Sequence, residues 1–210
     1  MDSIVPDQSE VRPIVEWARA GAPLEGGESG DLEVVVALPG IALLALIDGL
    51  GHGPEAALAA REAAAVLRAH AAAPVTELIE RCHSALHKTR GAVMSVASLA
   101  TPSSTIDWCG IGNVEALLFR ANGAAARPCE ALSTRGGVIG YRLPPIKVST
   151  LPVWTGDLLV FASDGIRPGF SDFVDVESEP QLIADSILAR YGRGTDDALV
   201  LVARYTGAMP

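Results

Sequence analysis

Apolar residues along this chain fall into short runs divided by glycine, proline and acidic positions. Two early runs, Glu33–Leu38 and Ile41–Ile47, are rich in Val, Leu and Ile and are separated by Pro39-Gly40. Runs of this length around a turn pair predict a hairpin of two buried strands. At Gly53-Pro54 the pattern changes. Residues Glu55 to Ala71 are mostly Ala, Leu, Glu and Arg, which favour helix, and glycine followed by proline suits a helix start. Pro74 ends that helix, and Val75 to Arg90 predicts a second, with Leu78, Ile79, Cys82 and Leu86 on one face.

Strand-like runs follow at Val93–Leu99, Ser104–Cys109, Val114–Phe119, Ile146–Leu151 and Leu158–Ala162, with a hairpin-turn signal at Asn122-Gly123. Gln181 to Tyr191 predicts a late helix with an apolar stripe of Leu182, Ile183, Ile187 and Leu188, stopped by Gly192. Ala198 to Tyr205 predicts a last strand. Strands therefore come in runs with few helices among them, which points to antiparallel sheets with segregated helices, an α+β protein.

Composition narrows the function. The chain has 210 residues, enough for a substantial core, and is read as one domain spanning 1–210. The 25 acidic residues outnumber the 16 basic ones, for a net charge of −9. That balance argues against a nucleic-acid or anionic membrane partner, both of which need a basic footprint. Cys82, Cys109 and Cys129 form no CxxC pair and leave one over, as expected for free thiols in a reducing cytoplasm. The N-terminus lacks the basic and apolar regions of a signal peptide. The run Val34 to Ile47 is broken by Pro39-Gly40 and falls short of the ~20 residues of a membrane span. The expectation is a cytoplasmic monomer.

Acidic residues recur at the ends of strand-like runs beside small residues. Asp31 follows Ser29-Gly30, Asp48 opens Asp48-Gly49-Leu50-Gly51-His52-Gly53, and Asp164 ends Phe161-Ala162-Ser163-Asp164-Gly165. Asp196 and Asp197 precede the last strand. A strand end holds a carboxylate rigidly, and an adjacent glycine would let a metal or its waters reach the backbone. Carboxylates brought together repel unless cations neutralise them, and hard oxygen donors select Mg²⁺ or Mn²⁺. Each Asp-Gly pair alone is also an ordinary turn. Two of them after apolar strands, with a terminal Asp-Asp, form a joint signal.

The segment Ala45-Leu46-Ile47-Asp48-Gly49-Leu50-Gly51-His52-Gly53 before a helix resembles the signature of the sporulation-E-type branch of metal-dependent serine/threonine protein phosphatases. Ser29-Gly30-Asp31, Thr155 to Gly165 and Asp196-Asp197-Ala198 resemble that family's other motifs in order. The resemblance runs from about residue 25 to 205. It implies an αββα sandwich of two antiparallel sheets flanked by helices. It also implies a phosphatase acting on phosphoserine or phosphothreonine with two Mn²⁺ or Mg²⁺ ions, most like the stand-alone enzymes that dephosphorylate stressosome scaffold and antagonist proteins. On this resemblance Asp48 bridges the metals and the Gly49 carbonyl binds one. Asp164 and Asp196 complete a metal shell, Asp197 supports it or holds a further ion, and Asp31 acts through water or positions the phosphate. Hydroxide activated by the two metals would then attack phosphorus in line.

Some residues leave alternatives open. His52 is a candidate general acid. Eukaryotic relatives, however, carry histidine two residues after the bridging aspartate, where Leu50 stands here, so a hydrogen bond at the helix entry is the competing role. No arginine clearly matches the family's phosphate-binding one; Arg12 and Arg19 are candidates by location. Leu199 stands where the family often has threonine. Gly110–Asn113 and Gly136–Gly140 resemble phosphate loops but lead into no helix, and are expected at the active-site rim. His83 and His87 are spaced as a helix metal pair without a third ligand, so a plain helix face is expected. Trp17, Trp108 and Trp154 are expected to pack in the core or at the rim. A catalytically silent interaction module of a signalling complex is the rival function. A nucleotide-binding regulator is disfavoured, because Gly49–Gly53 lacks the lysine of a P-loop and follows an acid.

Overall fold

The computed structural model describes residues 13–24, 27–121 and 129–207. Eleven strands and three helices appear in the order β1 (Val15–Ala22), β2 (Asp31–Leu38), β3 (Ile41–Gly49), α1 (Pro54–Ala69), α2 (Val75–Ala85), β4 (Ala92–Ala100), β5 (Thr105–Ile111), β6 (Glu115–Phe119), β7 (Cys129–Ala131), β8 (Thr134–Arg135), β9 (Ser149–Pro152), β10 (Leu158–Ala162), α3 (Pro180–Tyr191) and β11 (Ala198–Tyr205). One sheet runs β1-β11-β10-β6-β7 and the other β2-β3-β4-β5-β8, with β9 also paired to β5.

Three apolar layers hold four layers of structure. Ala42, Leu44 and Leu46 of β3 meet Phe161 of β10 and Leu201 of β11 between the sheets. The alternate β3 positions, Leu43, Ala45 and Ile47, pack against Ala59, Ala63 and Leu67 of α1 and Leu78 of α2. On the far side, Val160, Val200 and Val202 pack against Ile183, Ala184 and Ile187 of α3. Covering both faces of each sheet explains why the central strands read as unbroken apolar runs despite antiparallel pairing. The result is the expected αββα sandwich.

The early hairpin, β10, β11 and the Gly53-Pro54 start of α1 lie where the sequence puts them. Other details differ. The helix predicted over Val75 to Arg90 ends at Ala85 and tightens into a 3₁₀ turn, Leu86–Lys88. In α3 the buried face is Pro180, Ile183, Ala184 and Ile187, while Leu182 of the predicted stripe is exposed. Gly192 caps that helix in extended rather than left-handed backbone. β1 escapes the hydrophobic pattern because three of its eight residues are alanine and one is glycine; full-length pairing with β11 defines it. β5 and β8 pair parallel over two residues, an exception to the antiparallel expectation. Trp108 is buried, but Trp17 and Trp154 are about half exposed, and Trp154 lies under the Arg120 guanidinium. Asn122-Gly123 lies outside the described residues.

A buried ionic cluster ties β6, β7 and the turn before β10. Arg120 donates to Asp157 at 2.8 Å, to Glu130 and to the Pro152 carbonyl. Asp157 also accepts the Trp154 and Ala121 amides. No helix among the described residues is long and apolar enough to cross a membrane.

Candidate metal centre

The acidic residues gather at one end of the sandwich, where the two sheets diverge. Asp31 and Asp48 are paired positions on β2 and β3. Asp164 lies two residues beyond β10, and Asp196 and Asp197 lie just before β11. A cleft of about 510 Å³ is lined by Asp48, Asp164, Asp196, His52 and Asn113, with the Gly136–Val138 loop as its far wall. The two glycine-rich segments expected at the rim are therefore there.

Each carboxylate has a distinct setting. Asp31 is buried, its amide donates to Ser29 Oγ, and its Oδ2 has no hydrogen-bond partner. Asp164 is exposed and accepts a 2.8 Å hydrogen bond from Asn113 Nδ2. Asp196 Oδ1 accepts the amide of Asp197. Asp197 is buried, and its two oxygens accept the amides of Leu24 and Gly30, each at 2.7 Å. It fastens the segment before Asp31 to the start of β11 across more than 160 residues of sequence.

The electrostatics follow from crowding. Burial pushes the Asp48 carboxyl up to about 8, and the charges of Asp31, Asp164, Asp196 and Asp197 add to the rise. Asp31 rises to about 7 through burial, opposed by a hydrogen bond from Ser163 and reinforced by Asp197, Asp164 and Asp196. A cation would relieve both effects. Among the described residues no three His, Cys, Asp or Glu side chains enclose an ion by themselves. Mg²⁺ needs no such cage, since it keeps several waters and binds through one or two carboxylates. An all-oxygen donor set with a buried, unpartnered carboxylate oxygen fits hard divalent ions.

The glycines after Asp48 and Asp164 have a different use from the one expected. A Cβ on Gly49 would lie 2.1 Å from the Ala56 carbonyl oxygen, and one on Gly165 2.0 Å from that of Asp197. Protein backbone, not a ligand, fills those positions. The Gly49 amide is held by the Gly30 carbonyl at 3.0 Å, so the two loops bearing Asp31 and Asp48 brace each other.

His52 is exposed and stands between the main cleft and a smaller one lined by Leu24 and Asp197. The N-cap of α1 is Gly53, which has no side chain to bond the first helical amides. Arg19 forms an ion pair with Glu33 at 3.2 Å and lines neither cleft; Arg12 lies outside the described residues. His83 and His87 are more than a plain helix face. The Gly140 amide donates to His83 Nδ1 at 2.9 Å, and His87 Nδ1 meets the Gly140 carbonyl at 3.1 Å. Together they pin the loop that walls the cleft. Sequence reasoning missed Asn113 and Ser163 as supports of the acidic group. Their only signal was a polar residue beside a glycine-rich turn and a serine before Asp-Gly.

Comparison with known proteins accords with this geometry. Residues 39–206 match the family model described as stage II sporulation protein E (SpoIIE). The phosphoserine phosphatase RsbX of Bacillus subtilis (strain 168) is 27% identical over 128 residues, which are 60% of this chain and 61% of that protein. The chain thus spans about three-fifths of that relative. A chain from a structural study of the bacterial stressosome, a modular system adapted to control secondary messenger signalling, is 29% identical with TM-score 0.82. It covers 90% of this chain and 99% of its own. RsbX in complex with magnesium superposes with TM-score 0.80 at 20% identity, over 91% of this chain and 96% of its own.

Proposed function

Since the chain belongs to the stage II sporulation protein E family, we propose that it is a metal-dependent protein phosphatase acting on phosphoserine or phosphothreonine. The observation that carries the reading is the convergence of Asp48, Asp164 and Asp196 on one cleft, with Asp31 paired beside Asp48 and the Asp48 carboxyl raised by burial and then by its acidic neighbours. Repelling carboxylates kept together at a strand-end cleft are explained by cations between them. The phosphoserine phosphatase activity of RsbX and the magnesium complex of that protein support the choice.

In this reading Asp48, the Gly49 carbonyl, Asp164 and Asp196 hold two divalent ions, Mg²⁺ or Mn²⁺. When bound, such ions acidify water toward hydroxide at neutral pH and offset charge on phosphoryl oxygens. Asn113 orients Asp164, leaving its second oxygen toward the cleft. Asp197 keeps the Gly30–Asp31 segment against β11, and Asp31 presents its buried oxygen to water or phosphate. His52, exposed at the rim, is placed to give a proton to the departing seryl or threonyl oxygen. The proposed substrates are phosphorylated stressosome proteins, by likeness to RsbX and the stressosome chain.

The second reading is a catalytically silent interaction module; what favours it is that no three side chains among the described residues form an ion cage. Hydrolysis of an aryl phosphate with Mn²⁺, Mg²⁺ or EDTA separates the two. Turnover that requires metal and is lost in Asp48→Asn and Asp164→Asn supports the phosphatase. No turnover with any metal, and no metal-induced rise in melting temperature, leaves the silent module.

A further inference from the structure

The charge on this acidic chain is unevenly spread. No acidic residue occurs between Glu80 and Asp107, nor between Glu130 and Asp157. The fold joins these two acid-free segments at the cleft. Ala92 bridges to Ile139, a Cβ at Gly91 would lie 2.7 Å from Val138 Cγ1, and the two histidines after Glu80 hold Gly140.

Three arginines on these segments lie next to residues that line the opening. Arg135 directly precedes the Gly136–Val138 wall, and Arg142 is bridged to Val138 by two backbone hydrogen bonds of 2.9 and 2.8 Å. Arg90 Nη1 lies 2.9 Å from where a Gly51 Cβ would stand, and Gly51 lines the cleft. All three are exposed. Arg90 pairs with Glu55, while no ion pair is formed by Arg135 or Arg142 among the described residues. Tyr141, beside Arg142, is 84% exposed and offers an apolar contact at the same edge.

We propose that Arg90, Arg135 and Arg142 form a docking surface for an acidic segment flanking the phosphorylated residue of the protein substrate, and so set sequence preference around the phosphosite. The proposal rests on the phosphatase reading. Its physical basis is range: at physiological ionic strength charges interact over about 8 Å, so these arginines act on a flank more strongly than the chain's distant negative charge, while cations held in the cleft would offset the nearby aspartates. An acidic flank would be repelled by acidic parts of this surface and attracted to this edge, which biases how the substrate approaches. A surface of three arginines on a chain of net charge −9 is too small and too isolated to track a nucleic-acid backbone.

The test uses synthetic phosphoserine peptides that differ only in carrying glutamate or lysine around the phosphoserine, assayed for kcat/KM with Mn²⁺. Wild type is expected to favour the glutamate peptide by about tenfold at low salt, with the ratio shrinking as salt rises. In Arg135→Glu/Arg142→Glu, and to a lesser degree in the Gln counterparts, the ratio should fall to about one or invert. Because the ratio is taken within one protein, partial misfolding of a variant does not disturb it. Equal use of both peptides by wild type, or a ratio unchanged in the double variant, overturns the docking surface while aryl phosphate turnover keeps the phosphatase standing. Failure to hydrolyse any phosphoester would remove both.

Discussion

Gly49 abuts the first turn of α1 so closely that a Cβ there would lie 2.1 Å from the carbonyl oxygen of Ala56. This contact sets the end of β3 against the helix and fixes the direction of Asp48. Helix backbone cannot yield as a flexible side chain could. Gly49→Ala should destabilise by about 3 kcal/mol or more, at the upper end of overpacking costs. Gly53→Ala meets nothing within 4 Å but has to hold φ 76° with ψ −161°, an essentially glycine-only conformation that costs about 1–3 kcal/mol. Denaturant unfolding of the two variants checks the ordering.

Asp197 and Asp196 are neighbours with opposite tasks. Asp197→Ala would strip the part-buried Leu24 amide and the buried Gly30 amide of their shared acceptor, costing about 2–3 kcal/mol. Asp196→Ala removes only an acceptor for the next amide and should change stability by less than about 1 kcal/mol while abolishing metal-dependent hydrolysis. Thermal melts in EDTA, beside aryl phosphate assays, separate the roles; equal destabilisation by both variants would contradict them.

The metal-free protein should lose stability as pH rises. Asp48 and Asp31 have native values of about 8 and 7 against 3.8 for the free side chain. The folded state therefore binds more protons than the unfolded state between about pH 4 and 8, so stability falls with pH across that window. Melting temperature in EDTA should drop by several degrees from pH 5 to pH 9, and Asp48→Asn should flatten the slope. Added Mn²⁺ should stabilise more at pH 8 than at pH 6, because it no longer competes with protons. A flat EDTA profile in wild type would contradict the crowding of these carboxyls.

Away from the cleft, Arg120 and Asp157 form a buried pair at 2.8 Å, with side chains 5% and 1% exposed. Asp157→Ala would leave a guanidinium buried with only part of its partners and should cost about 3–5 kcal/mol. A double replacement by apolar residues of similar size, Arg120→Met with Asp157→Leu, should recover much of that loss. Chemical denaturation of the single and double variants measures the coupling.

Much of this was legible along the chain. The Pro39-Gly40 turn, the Gly53-Pro54 helix start and the apolar runs of β10 and β11 lie where local chemistry puts them, because turn preference and strand pattern depend on neighbours in sequence. The four acidic positions were legible as strand ends. β1 was not: its alanines and glycine carry little hydrophobic signal, and pairing with β11 alone makes it a strand. Leu182 was misplaced because helical periodicity shows which residues share a face, not which face the sheet covers.

The sequence by itself determined the sandwich class, the Asp48–Gly53 strand–turn–helix junction and the strand-end positions of the acidic residues. Tertiary structure alone decided that Asp48, Asp164 and Asp196 meet at one cleft with Asp31 paired beside Asp48, that Asp197 is a backbone clamp, and that His83 and His87 hold the cleft wall. It also brought the segments bearing Arg90 and Arg142 together beside that cleft. The reason is one of distance. Propensity and turn chemistry act over a few residues, whereas these relationships join segments dozens to more than a hundred residues apart, and only the packing of two sheets brings them together.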